Sequence, residues 1–359
     1  MAWYDPSWGY RSKITIDNTK VAGDETDFPV LITEDNLPAG FWTNVDTQGD
    51  DIVLTSDDEE TKLKRELVNI DTGGETLELY VKVPSLASSA DTDLYLYYGN
   101  AGATETDDTD TWNGDYLGVW HLQEDPSGGA PQAQDSTVSN WDLTSEGTMT
   151  SGDLVAMEPG KGWTFDAADD GASKTGLSIA TLPTTFCQYG VVQGAAVYNQ
   201  LGGVSIPASA DALYSYIRSD GDVVIESITS GTSAGAKSTT PTYTDTDEFA
   251  VCGVWANATS RKVYTEGTNV VEDTTSRGTI TATVAAISKI PYNSGALKGR
   301  ASMSEFRVLD TDLSANWVST EYNTIRDTAN FYAVGAEEPQ PSVGGSGRVI
   351  ILQTNLMRR

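Results

Sequence analysis

Apolar and polar residues alternate with a period of two along much of the chain. In Lys13-Ile14-Thr15-Ile16-Asp17 the isoleucines fall on one face and the polar residues on the other, which predicts a half-buried strand. The run from Thr76 to Val83 repeats the pattern, with Leu77, Leu79, Val81 and Val83 on one face before Pro84. Asp93 to Gly99 follows after a Ser/Ala/Asp turn, with Leu94 and Leu96 inward and tyrosines on the opposite face. Adjacent runs of this kind predict an antiparallel meander.

Further along, Asp220-Gly221 separates two β-prone runs and predicts a hairpin with a tight turn, and a second hairpin spans Arg261 to Val271. Phe249-Ala250-Val251-Cys252-Gly253-Val254-Trp255 is nearly continuously apolar, as expected of a central strand buried on both faces. One segment, Leu313 to Tyr322, reads as helix, with Ser314 as N-cap and Trp317 near the start of its apolar face. Many strands with little helix predict an all-β protein of two β-sandwich (jelly-roll) domains in tandem. The expected divisions are 1–116 for the first sandwich, 117–336 for the second, 337–347 for a linker rich in Pro, Gly and Ser, and 348–359 for a basic β-prone tail. In that tail Arg348, Val349, Ile350, Ile351 and Leu352 form an apolar run that is an aggregation hazard unless paired, so it is expected to add to a sheet or to a neighbouring copy.

Composition narrows the functional classes. The 359 residues carry 52 acidic and 22 basic side chains, a net charge of −30. Such a charge repels phosphate backbones, so nucleic-acid binding is not expected. No stretch approaches the roughly 20 continuous apolar residues of a membrane span. The acid is unevenly placed, with 25 acidic and 7 basic residues in 1–120 against 27 and 15 in 121–359. His121 is the only histidine, which excludes mechanisms that need several imidazoles. The cysteines, Cys187 and Cys252, are too few for a disulfide scaffold; they could pair if their strands are neighbours, whereas assembly in a cytoplasm argues for free thiols. The start, Met1-Ala2-Trp3-Tyr4-Asp5, has neither the basic nor the apolar region of a secretory signal, so cytoplasmic synthesis is expected.

Several motifs fall in a recognisable order. Trp8-Gly9-Tyr10-Arg11-Ser12-Lys13-Ile14-Thr15-Ile16-Asp17-Asn18, Asp27 to Ile32, Asp50 to Thr55 and Leu94 to Asn100 together resemble an N-terminal β-domain of unknown function that commonly precedes concanavalin A-like, laminin-G-like jelly rolls. In that family Gly118-Val119-Trp120-His121-Leu122 is similar to the joint between modules, followed by Asp135-Ser136-Thr137. Gly253-Val254-Trp255, Val263 to Gly267, Ala296 to Gly299, Ser304 to Val308 and the helix from Leu313 resemble the jelly roll itself. The resemblance implies a microbial envelope protein or a virion protein of a tailed bacteriophage. With no leader read at the start, the expectation is a phage structural protein on the particle surface, in a head-decoration, head-fibre or tail role. It would be assembled in the host cytoplasm, with other virion proteins, copies of itself and host surface glycans as partners. The alternative is a cell-envelope carbohydrate-binding protein, and a third reading is a polysaccharide-cleaving enzyme.

Candidate sites follow from what a sugar or a cation needs. Sugars present C–H faces and hydroxyls, so aromatic rings beside Asn, Asp and backbone donors are candidates, namely Trp141, Trp163, Tyr198 and Tyr292. Calcium needs converging oxygens, and Asp166, Asp169 and Asp170 could supply them, as could Asp107, Asp108 and Asp110. Laminin-G-like relatives sometimes bind calcium at a loop; no other cofactor is implied. His121 follows Trp120 in an apolar strand and is expected to be structural. The Glu-x-Asp-x-x-Glu strand that supplies paired carboxylates in jelly-roll glycosidases does not occur, so no catalytic residue is expected.

Overall fold

The computed structural model describes residues 3–166, 168–194, 198–207, 209, 211–289 and 299–341. The fold is all-β, in four antiparallel sheets. Among the described residues no helix is long and apolar enough to cross a membrane. The first module packs a sheet of Tyr10–Ile16, Thr92–Tyr98 and Val53–Thr55 against a sheet of Glu25–Thr33, Thr76–Leu86 and Arg65–Asp71. Leu77, Leu79, Val81 and Val83 are buried in the same core as Ile14, Ile16, Leu94 and Leu96, as their alternation requires.

The expected meander is not what forms. Thr76–Leu86 pairs with Glu25–Thr33 and Arg65–Asp71, whereas Thr92–Tyr98 pairs with Tyr10–Ile16. The turn between the two runs therefore crosses from one sheet to the other, so that their leucine faces meet across the sandwich instead of lying side by side.

The second module is a jelly roll of two larger sheets. Glu248–Asn257 and Thr184–Val192 run through the middle of one, next to Ala301–Leu309, which in turn pairs with Tyr116–Trp120. Ala212–Ile217, Asn199–Ser205 and Thr281–Ile287 form the middle of the other. Both predicted hairpins are present, Ala212–Ile217 with Val223–Thr229 and Ser260–Thr265 with Asn269–Asp273. The strand around Trp255 is buried on both faces, with Phe249, Val251 and Trp255 in the jelly-roll core and Ala250, Cys252 and Val254 in a core shared with the first module.

That shared core exists because the end of the described chain returns to its beginning. Helix Ala315–Arg326 is capped by Ser314, whose Oγ accepts from Trp317 N at 3.0 Å. Its buried face carries Trp317, Val318, Glu321, Thr324 and Ile325, and Trp317 packs on Phe28 of the first module at 4.7 Å. Tyr332–Val334 then pairs with Ile14–Ile16, and Glu338–Pro339 pairs with Tyr10 and Arg11. Residues 332–339 thus complete the first sandwich rather than ending the second or opening a linker. Glu337 accepts from the Tyr98 hydroxyl at 3.0 Å, and Glu338 is paired with Arg11 at 2.9 Å. The tail candidates Arg348 to Leu352 lie outside the described residues.

Cys187 and Cys252 sit directly opposite each other on neighbouring strands, with Cα atoms 4.2 Å apart, and are disulfide-bonded. The strands are neighbours, so of the two alternatives the pairing is the one that forms and the free thiols are not: strand register brings the two sulfurs within bonding reach.

Candidate functional sites

Three places concentrate chemistry. The first is the predicted aspartate loop, where the strand Lys161–Thr164 turns into Gly171–Ala180. Asp166, Asp169 and Asp170 each bring a carboxylate oxygen within 4.8 Å of the others. Asp170 is only 3% exposed; its Oδ2 accepts from Asp166 N at 3.2 Å, and its Oδ1 has no hydrogen-bond partner among the described residues. Burial, with Asp166 and Asp153 nearby, pushes the Asp170 carboxyl above the ordinary range. The loop is closed from the other side by Gly147, at φ +88°, where a Cβ would stand 2.5 Å from the Asp169 carbonyl oxygen, so only glycine fits. Convergent oxygens at a tight loop are a donor set suited to a hard cation.

The second is an aromatic row on the outer side of the jelly roll. Tyr198 is 44% exposed and lies 5.9 Å from Tyr216, which stacks on Tyr214 at 5.7 Å. Glu226 on the next strand accepts from the hydroxyls of Tyr214, at 2.7 Å, and Tyr216, at 3.3 Å. Leu213 and Ile217 point into the core, so alternation turns Tyr214 and Tyr216 the other way. Of the predicted aromatics among the described residues, Tyr198 alone belongs to this row. Trp163 is fully enclosed in the jelly-roll core, donating to the Glu124 carbonyl at 2.8 Å, and offers no face to a ligand. Trp141 is half-buried against the same core, its backbone N–H held by Asp135 and its carbonyl accepting from the Trp120 indole. Tyr292 lies outside the described residues. The tyrosine row and the aspartate loop are not brought together: two strands of the same sheet, Asn199–Ser205 and Thr281–Ile287, separate Ala212–Ile217 from Gly171–Ala180.

The third site was not anticipated. On Ala301–Leu309, Phe306 and Val308 face the jelly-roll core, and Glu305 and Arg307 face the other way. A strand patterned in this manner normally leaves its charges in water, but here the first module covers them completely. Arg307 pairs with Glu305 at 3.0 Å and Glu321 at 2.8 Å, donates to the Tyr80 hydroxyl at 3.0 Å and stacks over Trp112. His121 stacks on Tyr80 and meets Glu305 through Nδ1, with Glu66 at 3.4 Å from Nε2 and Glu78 at 3.8 Å from Nδ1. Burial opposes protonation of His121, but the Glu305 and Glu66 charges outweigh it and hold the imidazole well above its usual range. Burial likewise drives the Glu78 carboxyl up. The Glu-Phe-Arg-Val alternation was the available signal; what sequence alone does not give is the cover.

Asp107 and Asp108 are placed in ion pairs with Arg65 and Lys64 respectively, away from the aspartate loop.

A domain of unknown function, DUF2341, matches residues 48–143, a span that carries Glu66, Glu78 and His121. Among curated proteins none matches the sequence. Solved structures that match in part include the binding domain of Paraclostridial Mosquitocidal Protein 1 (9% identity, TM-score 0.44, covering 58% of this chain and 52% of that one). The binding domain of botulinum neurotoxin serotype C1 is also similar (10% identity, TM-score 0.44, 59% and 52%). A third is a heptameric SAP-like pentraxin from Limulus polyphemus (15% identity, TM-score 0.35, 46% and 87%). The chain spans about half the length of the toxin binding domains it matches.

Proposed function

We propose that the chain is a non-enzymatic binding protein of a particle or cell surface, whose jelly roll takes a glycan on the tyrosine row. The observation that carries this reading is the exposed Tyr198 ring continuing into the half-buried Tyr216, with the buried Tyr214 stacked beside it and Glu226 accepting from both hydroxyls. Such a row supplies apolar faces for sugar C–H groups beside a carboxylate for hydroxyls. Calcium at Asp166, Asp169 and Asp170 is proposed as a stabiliser of the loop rather than a ligand of the sugar, since two strands separate the adjoining strand Gly171–Ala180 from the one that carries Tyr214 and Tyr216. The setting proposed is a tailed-phage virion, with the tail from Arg348 pairing to a neighbouring copy.

The Cys187–Cys252 disulfide favours a second setting, a microbial envelope protein, because disulfides persist in oxidising surroundings. Mass spectrometry of purified particles separates the two settings: presence in the virion supports the first, and recovery only from cell envelopes supports the second. A glycan array tests the activity common to both. Binding that fails on replacing Tyr216 with Ala supports the reading, and an array without signal for the wild-type chain overturns it.

A further inference from the structure

The covered joint gathers more carboxyl groups than cations. Glu66, Glu78, Glu305 and Glu321 converge there with, among the described residues, Arg307 and His121 as the cations. Buried charge without compensation is costly. Glu78 Oε2 accepts from Gln123 Nε2 at 2.9 Å, whereas Oε1, wholly buried and turned toward His121, has no hydrogen-bond partner among the described residues. Two neighbouring oxygens, Gln123 Oε1 and Glu124 Oε2, are buried in the same condition. A cavity of about 220 Å³ is lined in part by Glu66, His121, Gln123, Glu124 and Gln134.

We propose that Glu78, His121 and Glu305 form a binding site for a divalent transition-metal ion of the zinc class at the joint between the modules. The three side chains come from separate strands or strand ends and place one ligand atom each within 4.8 Å of the others. A tetrahedral ion with bonds of about 2.0–2.1 Å sets its ligand atoms roughly 3.3 Å apart. The His121–Glu305 and His121–Glu78 separations, 2.5 and 3.8 Å, bracket that spacing, so modest rotation of the two carboxylates suffices. The ion replaces two protons, the one shared between His121 Nδ1 and Glu305 and the one that burial holds on Glu78, and both leave to solvent. One imidazole with two carboxylates suits zinc-class ions, whereas calcium takes six to eight oxygens. The aspartate loop and the joint therefore select different metals, and the failure of one leaves the other standing.

The sole histidine makes the test direct. Untagged, ¹⁵N-labelled chain carrying Asp170→Asn, to silence the loop, is titrated with zinc while the single imidazole is followed by NMR. The expected result is saturation at one equivalent with the large shift on Nδ1. In Glu78→Gln the zinc affinity should fall by more than the roughly 10–100-fold that loss of an outer-shell partner costs. An imidazole unchanged at saturating zinc overturns the proposal, as does a folded Glu78→Gln chain that binds zinc with undiminished affinity. Should that variant not fold, the wild-type Nδ1 shift decides alone.

Discussion

Arg307 and Glu321 form an ion pair of 2.8 Å in which neither side chain reaches solvent. One partner comes from the jelly-roll sheet and the other from the helix that leads the chain back to the first module. The pair, with Glu305 and the Tyr80 hydroxyl, ties the two modules and the helix together at a point where water is excluded. Replacing Arg307 with Met leaves Glu321 buried without its cation and Glu305 with His121 alone, and the expected loss is about 3–5 kcal/mol in urea unfolding. Adding Glu321→Gln should recover part of it, so the double variant is expected to be more stable than Arg307→Met alone. A double variant no better than the single one would show that the two residues are not coupled.

The helix and strands around this pair were largely legible in sequence. The period-two runs, the Asp220-Gly221 hairpin, the doubly buried strand to Trp255 and the Ser314 cap are each written in a few consecutive residues, and each is present. What local pattern does not encode is which surface covers which. Glu305 and Arg307 read as a solvated face until the strand Thr76–Leu86 is laid over them, and Tyr332–Val334 reads as the end of the second module until it pairs with Ile14–Ile16, more than 300 residues away in sequence. The clustering of Asp166, Asp169 and Asp170 was legible because they lie within five consecutive residues. The tyrosine row was half legible: Tyr198 stood out, while Tyr214 and Tyr216 needed only the alternation with Leu213 and Ile217 to be seen.

Burial pushes the Glu25 carboxyl up to about 7, with Asp24 adding to the effect. Its unfolded value is near 4.5. A raised carboxylate contributes stability that is fully present below the unfolded pKa and is lost as pH rises through the folded one. The difference in unfolding free energy between the wild type and Glu25→Gln should therefore shift against the wild type between pH 4.5 and about 7, then level off. Urea titrations of both proteins across that range check it; a pH-independent difference contradicts the burial of this carboxyl.

Cys187 and Cys252 close a loop with a sequence separation of 65. In the chain-entropy description a cross-link of that size stabilises by about 4 kcal/mol. Thiol labelling in denaturant is expected to find no free cysteine before reduction and two after it, with a fall in melting temperature on reduction. Two labelled thiols in the air-oxidised protein would contradict the pairing.

Calcium at the aspartate loop predicts a rise in melting temperature that Asp170→Asn removes. A hundredfold excess of ion over its dissociation constant stabilises by about 2.7 kcal/mol. Without calcium the same substitution should cost little, because burial and the neighbouring Asp166 and Asp153 already disfavour the Asp170 charge. Differential scanning calorimetry with calcium or with chelator reads both effects.

The tyrosine row carries the proposed function, and titration of the strongest glycan-array ligand against the wild type, Tyr216→Ala and Trp163→Phe tests it most directly. Tyr216 stands in the row, whereas Trp163 is sealed in the core of the same jelly roll. Loss of one stacked aromatic is worth roughly 0.5–1.5 kcal/mol beyond its buried area, so calorimetric titration should show affinity falling about tenfold for Tyr216→Ala and remaining unchanged for Trp163→Phe. Equal affinity for the wild type and Tyr216→Ala, with both proteins folded, would contradict the account.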